Sequence, residues 1–370
     1  MRILYDDEIF FRQRFGGVSR IFTELIRYVK DRTQNELLFD CGYSENEYLV
    51  ELFPHISSFL KPFNFPLKGK LIRKIYGNYS HFKTNKRLIQ NEVDIFHPSF
   101  YADYYLKSLA GSKTKLVFTV HDLIHERYPV NNQYRQIAKI KEKNLRVAHQ
   151  IIVVSEYTKK DLLNIYPFVK EELVHVIPLA QSLPLTGIDP GFFPGKYILF
   201  TGERGGYKNF ETLLNSFAKV HLIHKDLYLF CAGGRPFNTS EKDLMSSLHI
   251  TDFVLQKQLT DAALKYGYQH ARLFVFPSLY EGFGIPALEA FAAGTPVILS
   301  NRTSLPEVGG NAALYADCAD AEQLAQAILS VLENETLKGH LIQKGYAKVE
   351  GFTWKKHAEA TLKVYQKALQ

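Results

Sequence analysis

The chain has 370 residues, 46% of them apolar and 22% charged, with a net charge of +7. That length exceeds one ordinary hydrophobic core and that balance excludes a disordered chain, so two folded domains are expected. Three distant cysteines, Cys41, Cys231 and Cys318, exclude a disulfide framework or a zinc cluster and fit a reducing compartment.

The opening MRILYDDEIFF is charged from its second residue, unlike the apolar core of a signal peptide, so a cytoplasmic protein is expected. No run approaches the roughly 20 apolar residues of a spanning helix. Arg2 to Tyr5 reads as a first strand. A loop runs to Phe15, Gly16 and Gly17 follow, and Val18, Ile21, Phe22, Leu25, Ile26 and Val29 then share one helical stripe. Between Glu51 and Glu92 there is no acid. That interval holds Lys61, Lys68, Lys70, Arg73, Lys74, Lys83, Lys86 and Arg87, mixed with Phe63, Phe65, Leu67, Leu71, Ile72, Ile75 and Tyr76. It is either the solvated face of a surface helix or a contact for an anionic membrane leaflet, worth roughly 1 kcal/mol per basic residue. No RNA- or DNA-binding signature accompanies it, so nucleic acid is not an expected partner.

Val93 to His97, Lys115 to His121 and Ile151 to Val154 read as further strands, and Ser155 as the cap of a following helix. His121 and Asp122 stand at the carboxyl end of the second of these. His125 reads as structural, and no cluster with metal-ligand spacing surrounds either histidine. The stretch Ala180 to Lys196, with three prolines and three glycines, is the linker candidate. The rhythm then restarts. Strands are expected at Tyr197 to Thr201, Leu227 to Ala232, Leu273 to Pro277 and Pro296 to Ser300. A helix carries Phe210, Leu213, Leu214, Phe217 and Val220, and helices close the chain at Ala321 to Glu333 and Trp354 to Ala368. Short apolar runs alternating with amphipathic stretches define an α/β protein, and two such halves would leave a cleft between them.

Two segments of the second half carry chemistry. TGERGGYKNF, Thr201 to Phe210, joins a strand to a helix. Gly202, Gly205 and Gly206 free its backbone, while Arg204, Lys208 and the helix start bring positive charge, which describes a phosphate or diphosphate site. It is neither a Walker loop nor a G-x-G-x-x-G fingerprint. SLYEGFGIPALEA, Ser278 to Ala290, places Glu281 in the loop after a strand and Glu289 in the helix that Pro286 opens. Carboxylates accept paired hydroxyl hydrogen bonds, so a sugar is the matching ligand. Gly282 and Gly284 let backbone N–H groups approach it.

Together these residues resemble the family 4 glycosyltransferases, which have the GT-B fold, retain configuration and act on nucleotide sugars. The resemblance rests on Phe15-Gly16-Gly17-Val18, His121, Val154-Ser155 with Thr158, Lys159, Asp161 and Leu162, and Gly202 with Arg204, Lys208 and Asn209. It continues through Glu281 to Glu289 and through Gly294, Pro296 to Ser300 and Leu305-Pro306-Glu307-Val308. One departure is that Glu203 stands directly after the loop glycine, where family members often carry the arginine. HDLIHERYP and GGYKN look most like the bacterial O-antigen mannosyltransferase-like members.

The resemblance implies two Rossmann-like domains with parallel sheets facing a cleft. An acceptor-side domain would span 1–182, a linker 183–196 and a nucleotide-sugar domain 197–350. A closing helix in 351–370 would pack back on the first domain. It further implies that Lys208 and Arg204 neutralise the diphosphate and that Gly16 and Gly17 approach it from the other domain. Glu289 would hold the ribose and Glu281 the donor sugar, with Phe283 and Gly284 N–H groups fixing sugar or phosphate and His121 beside the reacting carbon. No metal or cofactor is implied, the nucleotide sugar being a substrate. The expected activity is transfer of a hexose, mannose from GDP-mannose, to a glycan or polyprenyl-diphosphate-linked acceptor. The enzyme would be peripheral on the inner face of the plasma membrane. Base readers are expected near Phe253 to Leu259. Two alternatives stay open: a nucleotide-sugar 2-epimerase of the same architecture, and a non-catalytic nucleotide-sugar binder.

Overall fold

Each half of the chain builds a six-stranded parallel sheet in a computed structural model that describes residues 1–14, 16–58, 68–184 and 186–370. Of residues 57–58 and 68–74 it describes the backbone only. Phe15, Lys61, Phe63, Phe65 and Leu67, and the side chains of Lys68, Lys70, Leu71, Ile72, Arg73 and Lys74, therefore lie outside the described residues. The chain divides into two units, Met1–Leu179 with Trp354–Gln370, and Ala180–Thr353.

The first sheet contains β1 (Arg2–Tyr5), β2 (Glu36–Phe39), β3 (Ile95–His97), β4 (Lys115–Val120), β5 (Gln150–Val153) and β6 (Val174–Val176), in the order β2-β1-β3-β4-β5-β6. The second contains β7 (Tyr197–Thr201), β8 (Tyr228–Ala232), β9 (Val254–Lys257), β10 (Leu273–Phe276), β11 (Val297–Ser300) and β12 (Leu314–Ala316), in the order β12-β11-β10-β7-β8-β9. Helices cover both faces, so an inner strand is apolar along its whole length. LFVF in β10 and VIL in β11 are such runs and are fully buried. In each sheet the first strand lies inside, and the chain builds outward first to one side and then to the other. The loops on the two sides of that reversal splay apart and leave a crevice at the carboxyl ends of the strands. In the first unit the reversal lies between β1 and β3, and in the second between β7 and β10.

In the first unit, the helix Gly17–Arg32 buries Phe22, Leu25, Ile26 and Val29 in one core with Ile3, Ile95, Val117 and Ile152. The closing helix Trp354–Leu369 adds Ala358, Val364 and Tyr365 to the same core. A buried chain of polar groups fixes it there. Tyr365 Oη lies 2.9 Å from Tyr5 Oη and 2.6 Å from His97 Nδ1, and His97 Nε2 lies 2.7 Å from Thr119 Oγ1. Burial lowers the His97 pKa to about 3, so the ring is neutral, as a link between two hydroxyls requires.

Residues 183–196 fall within the second unit. Phe193 packs 4.5 Å from Phe230 and 5.3 Å from Tyr197, and Ile188 N donates to Ala262 O at 3.0 Å. The proline- and glycine-rich stretch is thus strapped onto that unit.

The neutral His97 has a consequence for stability. Its folded pKa of about 3 lies below the 6.5 of the free side chain, so the unfolded chain binds a proton that the native state refuses. Stability is therefore lost as pH falls below about 6.5, and the loss continues toward about 3. In His97→Gln, the drop in unfolding free energy between pH 6 and pH 5 should be smaller than in the parent by about 1 kcal/mol. Denaturant titrations at the two pH values measure this, and equal drops would disprove it.

Candidate active site

The loop after β7 begins with Gly202, whose φ of +101° favours glycine, and whose N–H donates to Ala232 O at 2.9 Å. A short turn, Gly206–Lys208, leads to Asn209, left-handed at φ +57°, and then to the helix Phe210–Ile223. The Asn209 amide explains that strained residue. It donates to Pro277 O at 3.3 Å and to Cys318 O, while its oxygen accepts from Thr212 Oγ1 at 2.7 Å. One side chain thus ties the loop after β7 to the ends of β10 and β12. Leu279 N donates to Tyr207 O at 2.7 Å and adds a second tie.

These ties bring together Lys208 and Glu281. Lys208 Nζ lies 2.6 Å from Glu281 Oε1, with the two side chains 16% and 14% exposed. They come from the loops after β7 and β10, the two strands that flank the reversal. Lys208 also lies over the Phe276 ring at 5.1 Å. Glu281 is positioned from below: its N–H donates to Thr303 Oγ1 at 3.1 Å, and Ser304 Oγ donates to the carbonyls of Glu281 and Phe283 at 3.0 and 2.9 Å. Gly284 opens the helix Ile285–Ala293 at φ +114°, and a Cβ there would lie 2.9 Å from Leu305. Phe283 is buried.

Glu289 lies in that helix, buried, and accepts from Tyr268 Oη at 3.1 Å. Tyr268 in turn lies 3.4 Å from Thr201 Oγ1 at the end of β7. Nearby, the buried Lys265 donates to Ala292 O at 2.9 Å. Burial lowers its pKa, and the charge of Glu289 opposes that shift. Arg204 is placed differently from Lys208: its guanidinium is paired with Glu241 at 2.9 Å. A hollow of about 790 Å³ has Arg204, Gly206, Asn209, Asn238 and Glu241 in its wall, and neither Lys208 nor Glu281.

In the first unit, Gly16 precedes the helix Gly17–Arg32 in an extended conformation. A Cβ there would lie 2.6 Å from Gln13 Oε1, which accepts the Ser19 N–H at 3.1 Å. His121 follows β4 and is buried, with its N–H on Tyr101 Oη at 3.1 Å and its ring edge-on to Phe22. Burial lowers its pKa to about 4, against the pull of Asp122. Its Nδ1 is buried with no hydrogen-bond partner among the described residues. His125 is also lowered to about 4 by burial. Glu126 forms a buried pair with Lys141 at 2.7 Å, so the rest of that segment is framework.

Tyr268, Thr303, Ser304 and Glu241 support the site and were not singled out from sequence. Glu241 alone had a local signal, the N-x-x-E of a capping box at Asn238. The others are brought in by packing from distant loops.

A cation, an acid and a helix start thus meet at the switch point of a parallel sheet, the place where such sheets bind ligands. Comparison with known proteins makes the class specific. Residues 15–180 match the model of Glycosyltransferase Family 4, and residues 193–348 that of Glycosyl transferases group 1. The chain belongs to this family of glycosyltransferases. It is 28% identical over 291 residues to O-antigen chain mannosyltransferase B of Escherichia coli, 74% of each chain. It is 27% identical over 297 residues to the MMP alpha-(1->4)-mannosyltransferase of Mycolicibacterium hassiacum, 76% of this chain and 72% of that one. In fold it resembles a glycosyltransferase from Rickettsia africae, with a TM-score of 0.70 at 19% identity over 100% of this chain and 98% of that one. It also resembles Anabaena HepE in complex with UDP-glucose, with a TM-score of 0.74 at 15% identity over 99% of this chain and 100% of that one. The fold is GT-B.

Asn209→Ala should destabilise the second unit by about 1–3 kcal/mol, because it strands buried carbonyl groups. Denaturant unfolding tests this, and a change below about 0.5 kcal/mol, the scatter of an ordinary surface substitution, would show that the tie is dispensable.

Proposed function

We propose that the chain transfers mannose from GDP-mannose to a glycan acceptor in cell-surface polysaccharide synthesis, with retention of configuration and without a divalent metal. The observation that carries the donor site is the Lys208–Glu281 pair at the switch point of the second unit. The choice of mannose is supported by the relatives, which are mannosyltransferases. A transferase family with such relatives does not favour the epimerase or the non-catalytic reading.

In this proposal the donor takes the pair apart and uses both halves. Lys208 turns to the diphosphate and stabilises the charge that grows as it leaves. Glu281 accepts hydroxyl protons of the sugar. The N–H groups of Phe283 and Gly284, at the head of Ile285–Ala293, add donors for sugar or phosphate. Glu289, oriented by Tyr268, accepts from the ribose hydroxyls. The acceptor oxygen attacks the anomeric carbon on the face from which the diphosphate departs, and the acceptor's proton passes to the departing phosphate oxygen. In the first unit, the Gly16–Gly17 backbone and the neutral His121 are the groups assigned to the substrates. His121 Nδ1 is buried without a hydrogen-bond partner among the described residues, as are His125 Nδ1 and Asp7 Oδ2.

Lys208→Ala and Glu281→Ala should each lower kcat by about 10²–10³, the loss found for a single transition-state donor. Turnover measured across a panel of GDP- and UDP-sugars, with chelator present and the product anomer read by NMR, tests the assignment. Near-parental turnover of either variant would refute it.

We further propose that the acceptor is polyprenyl-diphosphate-linked and that the helix Lys68–Ile89 meets an anionic membrane. No helix among the described residues is long and apolar enough to cross one. Ile75, Tyr79, Phe82 and Ile89 of that helix are 57%, 49%, 64% and 63% exposed. Their spacing of four, three and seven puts them on one face, with Lys83 and Lys86 beside them. Arg87 is tied to Asp40 and Glu92 and is not part of that face's free charge. Anionic liposomes should sediment the protein, less at high salt and less for Phe82→Glu. Equal sedimentation with neutral lipid would rule the surface out.

A further inference from the structure

The loop after β7 carries two cations, and the structure uses them differently. Lys208 reaches the crevice. Arg204 turns its guanidinium toward the loop after β8. Its Nε donates to Glu241 Oε1 at 2.9 Å, and its Nη2 donates to Glu241 Oε2 at 3.4 Å and to the carbonyl of Arg235. The planar group lies 4.7 Å from the Phe237 ring and 5.6 Å from Phe210. Gly234 covers it: a Cβ there would lie 2.7 Å from Nη1 and 2.8 Å from Gly202 O. The Arg204 side chain is 4% exposed.

Glu241 is engaged in turn. Its Oε2 accepts Asn238 N at 2.8 Å, and Asn238 Oδ1 accepts Glu241 N at 2.9 Å, closing the capping box of the helix Thr239–Ser247. Gln256 Nε2 donates to Gly233 O and Gly234 O at 3.0 and 3.2 Å, so the end of β9 holds the same turn. One guanidinium therefore joins the loop after β7, the loop after β8 and a helix start.

We propose that Arg204 is a positioning residue rather than a ligand of the diphosphate: with Glu241 it locks the loop after β8 onto the loop after β7, and so sets the backbone that presents Lys208. The inference rests on the donor-site reading above. Withdrawing Nε and Nη2 toward a phosphate would leave Glu241 as an uncompensated, mostly buried charge, which is strongly destabilising. Its fork commits Nε and Nη2 to a carboxylate and a carbonyl, while Nη1 is buried beneath Gly234 without a hydrogen-bond partner among the described residues. Lys208, by contrast, gives up a partner that the donor sugar itself satisfies.

The two roles differ in how variants combine. Arg204→Lys, Glu241→Gln and the double variant of the full chain are compared in transfer kinetics and in binding of GDP and GMP. If the pair acts as a lock, each single variant loses at least tenfold in kcat. The ratio of GDP to GMP affinity then stays within threefold of the parent's, and the double variant is no worse than the poorer single, because coupled residues are not additive. Glutamine keeps the helix cap, so Glu241→Gln should melt near the parent temperature while losing kcat. A merely structural pair would lose stability and kcat together. The proposal is overturned if Glu241→Gln keeps parental turnover. It is also overturned if Arg204→Lys loses tenfold or more in GDP relative to GMP affinity. Should Arg204→Lys fail to fold, Glu241→Gln alone decides. Lys208→Ala separates the underlying reading: if that variant keeps the parental preference for GDP over GMP, the donor site is elsewhere, whatever Arg204 does.

Discussion

The reversal of strand order between β7 and β10 is the constraint on which the active site depends. Loops leaving adjacent parallel strands normally turn to the same side. Here they part, and the gap is bridged by one side-chain amide and one backbone hydrogen bond. Asn209 spans it from beneath, and the tie from Leu279 N to Tyr207 O closes its edge. Into that gap project Lys208 and Glu281, 2.6 Å apart. Each neutralises the other without ligand. In the proposed donor complex an anionic sugar derivative would replace this one contact with two.

Several costly groups are buried around this plan, and each is paired with a group from another segment. Arg204 meets Glu241, Lys141 meets Glu126, and His97 joins Tyr365 to Thr119. Burying an unpaired charge or polar group would be expensive. Pairing converts that cost into specificity, because only the native arrangement supplies the partner. The closing helix shows the effect: Tyr365 is far from Tyr5 and His97 in the chain, yet the three form one buried polar path in the first unit.

The first unit repeats the plan with a different filling. Its reversal lies between β1 and β3, and Asp6 after β1 accepts from Ser99 N and Oγ after β3 at 2.7 and 2.6 Å. Burial raises the Asp6 pKa to about 6, while Ser99 and Tyr104 pull it back. The crevice that carries an ion pair in the second unit is here closed by an acid and a hydroxyl. His121 after β4 keeps a buried Nδ1 without a hydrogen-bond partner among the described residues.

The inner strands were legible from sequence, because a parallel strand buried on both faces must be apolar throughout. Arg2 to Tyr5 and Tyr197 to Thr201 match β1 and β7 to the residue, and the other inner strands agree within two residues at either end. The strands that the pattern did not mark are β2, β6, β9 and β12, the four sheet edges. They have three or four residues and are half exposed, so no continuous apolar run announces them. Local chemistry also singled out Lys208, Glu281 and Glu289 as candidates, because glycines, a strand end and a helix start fall within a few residues, and the structure brings Lys208 and Glu281 together. What sequence did not determine was pairing. Arg204 and Lys208 are four residues apart and carry the same charge, yet one faces Glu241 and the other Glu281. That choice depends on which loops the strand order brings together, and strand order is settled only when the whole sheet packs.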